Sequence, residues 1–321
     1  MDFLGMVYSG HVDDTFPLPQ EAPFTLAMAR EAGVSRWQLA RLMAEGLLRS
    51  PVRGVYVSTA LGDSLRLRVA CLRLVVPQDC VVVDRHAGWV LGADMVLAPG
   101  EHLELRPVSI FRPSGNGRVR NGITRSGERW LREEDVVEVD GLRVTTPIRT
   151  AWDLGRVRWP EPAIAGIDQM LRLGAFTLEE LLAGVEQFRG QRWVTTLRAI
   201  APLGDGRAES PPESILRLRC VQNRLPMTPQ LEVRRGGTFL ARLDLGNEEL
   251  MVAAEYDGVE WHSSPEQLER DRSRRTAAAD DGWLIEVFVK ENLFGRTADA
   301  DAKLVLLRRD GLARRGLRIA S

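Results

Sequence analysis

Three acids sit where a soluble β-strand has no need of them: Asp244 in TFLARLDL, and Glu255 and Asp257 in LMVAAEYDG. Side chains alternate across a strand, so Glu255 and Asp257 share one face. The spacing predicts an antiparallel hairpin with a turn at Glu248-Glu249. That turn sets Asp244 opposite Ala253 and diagonal to Glu255, at about 7 to 8 Å between backbones. Carboxylates at that separation can converge on one divalent ion. Mg2+ takes a few carboxylates together with water and substrate phosphate, and such a cluster can activate water and neutralise the charge developing on a phosphodiester.

These acids need elements to hold them, and the C-terminal third supplies them. The linker-like PLGDGRAESPP is followed by a helix starting at Ser210-Pro-Pro-Glu213, the strand QLEVRR and the hairpin. A helix capped by Ser264, with Gln267 three residues on, and the alternating strand WLIEVFVK complete a compact α/β unit. Several candidates also have a purely structural explanation. Glu213 fits a capping box with Ser210, Asp257-Gly258 fits turn chemistry, His262 can cap or pack, and Asp271 in ERDRSRR fits a solvated ion-paired face.

The segments ESPPESILRL, LARLDL, VAAEYDGVEWH, ERDRSRR and GWLIEVF resemble, in that order, the PD-(D/E)XK nuclease fold. They resemble more closely the small endonuclease-like family related to very-short-patch-repair enzymes. The resemblance covers about residues 207–290. It implies that Asp244 and Glu255 hold Mg2+ or Mn2+, with Glu213 in support. It further implies that Asp257, His262 and Asp271 line the same site and that Arg274 approaches the substrate phosphate. The lysine that ends the broader motif is replaced by Asp257. A neutral imidazole at His262 could then serve as general base. Lys290 is the other candidate amine.

A second set of candidates lies near the N-terminus. The order helix, Gly33-Val34-Ser35 turn, helix, basic hairpin over residues 25–60 matches a winged helix-turn-helix, whose second helix enters the major groove. This segment has five arginines against two glutamates. Arg36, Gln38, Arg41, Arg49 and Arg53 are of types that contact bases or phosphates. A helical hairpin packed on its neighbour, with solvated arginines, is the alternative. Residues 1–24 hold four acids, three prolines and no lysine or arginine, and read as a disordered tail.

Residues 61–204 read as an α+β middle domain, with a helix from Ser64, strands near CVVVD and HLELR, and a helix begun by Thr146-Pro147. Their most basic stretch, 112–132, holds six arginines and one glutamate, with glycine-containing turns that suggest a basic hairpin region. The winged-helix segment followed by VVVDRHAGWVLGAD, GITRSGERWLREEDV and GLRVTTPIRTAWDL resembles the AbiEi antitoxin family of type IV toxin–antitoxin systems. That resemblance covers about residues 20–200. It implies operator binding by the N-terminal winged helix and a cognate toxin as a partner.

Composition bounds these readings. The 321 residues carry a net charge of −1, which excludes a uniformly basic nucleic-acid binder but leaves local patches open. Cys71, Cys80 and Cys220 form no CxxC pair, and the four histidines have no zinc-ligand spacing. The only lysines are Lys290 and Lys303, so no mechanism can use an earlier one. No apolar run approaches the roughly 18 residues of a membrane helix, and no secretory signal opens the chain. A cytoplasmic α/β multidomain protein is therefore expected, comprising tail, winged helix (25–60), middle domain (61–204) and restriction-endonuclease-like domain (205–321). Two functions fit it: a metal-dependent DNA endonuclease in phage defence, toxin–antitoxin function or repair, or a non-catalytic antitoxin or repressor with a degenerate nuclease domain.

Overall fold

The computed structural model describes residues 17–95, 105–258 and 274–316. These are mixed α/β and cluster into two compact units, the first drawing on residues up to 92 and 105–146, the second on 93–95 and those from 147 onward. The boundary expected between 204 and 205 falls inside the second unit.

The first unit opens with β1 (Phe24–Thr25), α1 (Leu26–Glu31), α2 (Arg36–Ala44), β2 (Leu48–Arg49) and β3 (Val55–Ser58), whose strands form a sheet in the order β1-β3-β2. The start of α2 is fixed locally. Ser35 Oγ accepts from Gln38 N at 3.2 Å, and Gln38 Oε1 accepts from Ser35 N at 2.8 Å, which satisfies two otherwise orphaned donors. Leu39 and Leu42 then fall on one helix face and pack with Phe24 and Leu48.

The same unit continues with α3 (Leu65–Arg73), β4 (Val81–Val82), α4 (Asp84–Leu91), β5 (Val108–Pro113), β6 (Thr124–Arg129), β7 (Val136–Val139) and β8 (Leu142–Thr145). The five strands order β6-β5-β4-β8-β7. Val55 and Val57 of β3 share a core with Leu72, Val82, Val108 and Val144. Full burial of each such side chain contributes about 1.5–3 kcal/mol. The expected basic hairpin is corrected here. β5 and β6 pair in parallel, Val108 with Thr124 through Pro113 with Arg129, because the intervening loop is long enough to return the chain to the start of β5. The HLELR strand expectation lies partly outside the described residues, and Leu105 and Arg106 are not in a strand.

The second unit contains α5 (Pro147–Gly155), α6 (Pro160–Arg172), α7 (Leu178–Ala183), α8 (Val194–Ile200) and α9 (Pro211–Gln222). A four-stranded sheet follows, built from β9 (Thr228–Arg235), β10 (Thr238–Asn247), β11 (Val252–Tyr256) and β12 (Leu284–Phe288) in the order β12-β11-β10-β9. β9, β10 and β11 are antiparallel, and β12 joins β11 in parallel. Val252 and Ala254, on one face of β11, pack with Leu216 and Cys220 of α9 and with Leu304 and Leu307 of the C-terminal helix Ala300–Arg314. Ala253, on the other face, packs with Ala278 of the helical segment 274–280. Pleating therefore sends Glu255 to the side covered by that helix.

Candidate functional site

The β10–β11 register differs from the expected one. Leu245 pairs with Ala254 and Gly246 with Ala253, so Asp244 lies directly opposite Glu255 instead of opposite Ala253. The connection is longer than two residues: Asn247 Oδ1 accepts from Leu250 N at 2.8 Å, and Met251 turns the chain at φ 50°. An asparagine side chain here does the work of a backbone turn. The consequence is closer acids, because directly opposed residues approach more nearly than diagonal ones.

Asp244 Oδ2 accepts from Tyr256 N at 3.0 Å. Burial, together with the nearby negative charges of Glu213 and Glu255, pushes the Asp244 carboxyl up to about 7. Glu213 is 8% exposed, and burial raises its pKa too. It sits in the first turn of α9, where Ser210 Oγ donates to Oε1 at 2.9 Å and Glu209 N donates to Oε2 at 2.9 Å. Its capping role is therefore real, and its charge still reaches Asp244.

Two participants carried no sequence signal. Gln230 lies across β9 from Asp244, between the pairs Leu243–Leu231 and Leu245–Pro229. Its backbone takes φ 52°, and its Nε2 donates to Glu213 Oε2 at 3.1 Å. A non-glycine residue in that region is strained, here at the edge of the acidic cluster. The other is Arg275, whose Nε donates to Glu255 Oε2 at 2.7 Å while Nη1 and Nη2 donate to Asp257 Oδ2 at 3.1 and 3.2 Å. Arg275 stands three residues before Ala278, so the helix face that covers the sheet also delivers the guanidinium.

Asp244, Glu255 and Glu213 are thus brought together electrostatically, and Asp257 joins Glu255 through Arg275. Arg274 is exposed on the same helical segment. His262 and Asp271 lie outside the described residues. Among the described residues, no group of three or more His, Cys, Asp or Glu side chains gathers closely enough to hold a metal ion. The donor set nevertheless suits a hard divalent cation in kind and charge, since a carboxyl held near 7 by burial and by two neighbouring carboxylates is one that a cation would ionise. Glu255 would have to exchange its arginine partner to contribute.

The N-terminal candidates are arranged differently. Arg36 is exposed, and Gln38 is engaged in the α2 cap. Arg41 Nε donates to Glu45 at 2.7 Å, and Arg49 Nη2 donates to Leu61 O at 2.9 Å. Arg53 is exposed, with Nη1 donating to Gly122 O at 3.1 Å. No helix among the described residues is long and apolar enough to cross a membrane.

The chain is therefore an α/β multidomain protein with an acidic cluster on the sheet of its second unit. It belongs to a family that includes two proteins of Mycobacterium tuberculosis, Uncharacterized protein MT2308 from strain CDC 1551 / Oshkosh and Uncharacterized protein Rv2248 from strain ATCC 25618 / H37Rv. Each is 32% identical over 262 residues, covering 81% of this chain and 92% of the relative. No family model matches the chain.

Proposed function

We propose that this is a cytoplasmic, metal-dependent endonuclease-like protein that hydrolyses DNA phosphodiesters, with a winged helix-turn-helix over residues 25–60 as its DNA reader. The observation that carries the reading is the carboxyl of Asp244, opposite Glu255 and beside Glu213, displaced to about 7 by burial and by those two acids. A carboxyl perturbed by burial and by neighbouring charges is typical of functional sites. Asp244 and Glu255 would hold Mg2+ or Mn2+, with Glu213 holding the cluster from α9. The ion would supply Lewis acidity and a bound water of lowered pKa. Asp257 and Arg275 shape the rim, Arg274 meets the phosphate, and His262 with Asp271 serves proton transfer.

The test is cleavage of supercoiled and branched DNA with Mg2+ or Mn2+, beside an Asp244→Asn protein. Metal-dependent cutting by wild type, lost in the variant, is the expected result. Wild type that neither cuts nor binds either ion at millimolar concentration would overturn it.

One observation favours a second reading. Arg275 neutralises Glu255 and Asp257 together, which suits a binding scaffold in a non-catalytic antitoxin or repressor. The order of segments resembling the AbiEi antitoxin family over about residues 20–200 supports the same reading, in which a cognate toxin would be the partner. Fold resemblance cannot choose between the two, because activity belongs to the site.

A further inference from the structure

The most basic stretch of the chain, 112–132, is not used by either reading, and the structure joins it to the β2–β3 hairpin. Arg53, in the hairpin turn, donates to Gly122 O at 3.1 Å. The next residue, Gly54, has φ +85°, and a Cβ there would lie 3.1 Å from Ile123 Cδ1. Turn and loop are therefore in contact, and only glycine allows both that backbone conformation and that approach without strain.

The β5–β6 loop is built as a fixed platform. Asn121 Oδ1 accepts from Ile123 N at 3.0 Å, from Thr124 N at 2.8 Å and from Thr124 Oγ1 at 2.8 Å. Val119 N donates to Ser126 Oγ at 3.0 Å, Asn116 Nδ2 donates to Pro113 O at 2.9 Å, and Glu128 accepts from Gly117 N. The acid that falls within this stretch is thus occupied in holding the loop.

On the platform, Arg118 and Arg120 are exposed, as is Arg53 beside them in the turn. None of the three forms an ion pair among the described residues, whereas Arg112 and Arg129 pair with Asp79 and Asp84. Glu128 lies close enough for its charge to be felt by Arg118 without pairing with it, and its oxygen is taken by Gly117 N. Exposed guanidinium groups outside ion pairs, on a loop already ordered, suit phosphate oxygens: the conformational cost of binding is reduced and each arginine offers a fork of donors.

We infer that the hairpin turn and the β5–β6 loop form one continuous surface for the sugar-phosphate backbone of duplex DNA, with Arg53, Arg118 and Arg120 as its contacts. The inference rests on the DNA-binding reading and extends it to a segment outside residues 25–60. Contacts of this kind position a duplex and carry no sequence information.

The experiment is the salt dependence of duplex binding by the full chain. Arg118→Ala/Arg120→Ala should flatten the log-log slope by about two units, at roughly 0.9 per lost phosphate contact, on specific and unrelated duplexes alike. Arg118→Lys/Arg120→Lys should keep most of the slope, and unchanged melting curves will show that the platform remains folded. A slope unchanged by Arg118→Ala/Arg120→Ala but flattened by Arg36→Ala/Arg41→Ala would overturn the surface and leave the DNA-binding reading standing. A wild-type chain with no salt-dependent duplex binding overturns both.

Discussion

Arg275 Nε stands 2.7 Å from Glu255 Oε2 while the same guanidinium reaches Asp257, so one side chain bridges two acids of the candidate site. Glu255 is 8% exposed, and a carboxylate so placed needs a compensating charge. The Arg275 guanidinium supplies it. A divalent ion could supply it instead, which makes Arg275 and the ion alternatives for the same carboxylate.

Removing Arg275 should therefore weaken the fold and free the acids. Arg275→Ala is expected to cost about 1–3 kcal/mol at pH 7.5, the usual effect of losing charge-assisted hydrogen bonds at a mostly buried group. Arg275→Lys should recover only part of this, since an ammonium cannot reproduce the fork that spans two carboxylates. Added Mn2+ should restore more stability to Arg275→Ala than to wild type. Urea denaturation with and without the ion measures all three, and equal responses of the two proteins to Mn2+ would contradict the exchange.

Asp244 makes a prediction about pH with a definite sign. Its folded pKa of about 7 lies above the unfolded value of about 3.9. Between those values the folded chain keeps a proton that the unfolded chain releases, so stability falls as pH rises from about 4 to 7 and then levels off. Asp244→Asn removes the group that titrates while its side-chain oxygen can still accept from Tyr256 N. The variant should match wild type near pH 4 and exceed it by up to about 4 kcal/mol at pH 8, at about 1.4 kcal/mol per unit of displacement. Equal stabilities at pH 8 would show that the carboxyl titrates normally.

What the sequence made legible is mostly what is local. Caps at Ser35 and Ser210 follow from short side-chain-to-backbone distances, and each starts a helix at the expected residue. The acids of β10 and β11 were equally visible, because carboxylates inside apolar strands stand out. Their register was not. It depends on Asn247 folding its side chain back to Leu250 N, which leaves Leu250 and Met251 in the connection although their apolar character reads as strand. The parallel pairing of β5 with β6 was hidden for a similar reason: glycine pairs announce turns but not where the chain returns. Arg275 was lost within ERDRSRR, where every charge looks solvated, and only the docking of its helix through Ala278 distinguishes it from Arg274. The left-handed backbone of Gln230 had no sequence signal, since glutamine is not a residue that favours it.

A buried ion pair ties the helices before residue 200 to the sheet-bearing segment after 205. Asp168 of α6 is fully buried, accepting from Arg217 of α9 at 2.6 Å and from Asp205 N at 2.8 Å. Asp168→Ala would leave Arg217, 6% exposed, without its carboxylate, at a cost of about 3–5 kcal/mol. The double variant Asp168→Leu/Arg217→Met should regain most of that loss, because apolar side chains of similar volume replace both charges. Amide hydrogen exchange should show Asp168→Ala lowering protection in α6 and in α9 together. Protection lost in α6 alone, with α9 unaffected, would mean that 147–204 and 205–321 are independent domains.

Base and ligand roles can be separated by two substitutions. Glu255 shares a sheet face with Asp244, and a ligand there would contribute both to holding the ion and to every step that uses it. His262 follows the acidic strand, and an imidazole with a pKa near neutrality is suited to take a proton from water without helping to bind a hard cation, which prefers oxygen donors. Glu255→Gln should therefore weaken Mn2+ binding and abolish cleavage together. His262→Ala should leave Mn2+ affinity within about threefold and reduce the cleavage rate by about 10²–10⁴, the range expected for loss of a general base. At Mn2+ concentrations that saturate the site and so keep Asp244 ionised, the wild-type rate should rise with pH through the imidazole range, and the residual rate of His262→Ala should lack that rise. Loss of Mn2+ binding in His262→Ala would make the histidine a ligand, and an unchanged rate would remove it from the chemistry and return proton transfer to the remaining acids, Asp257 and Asp271.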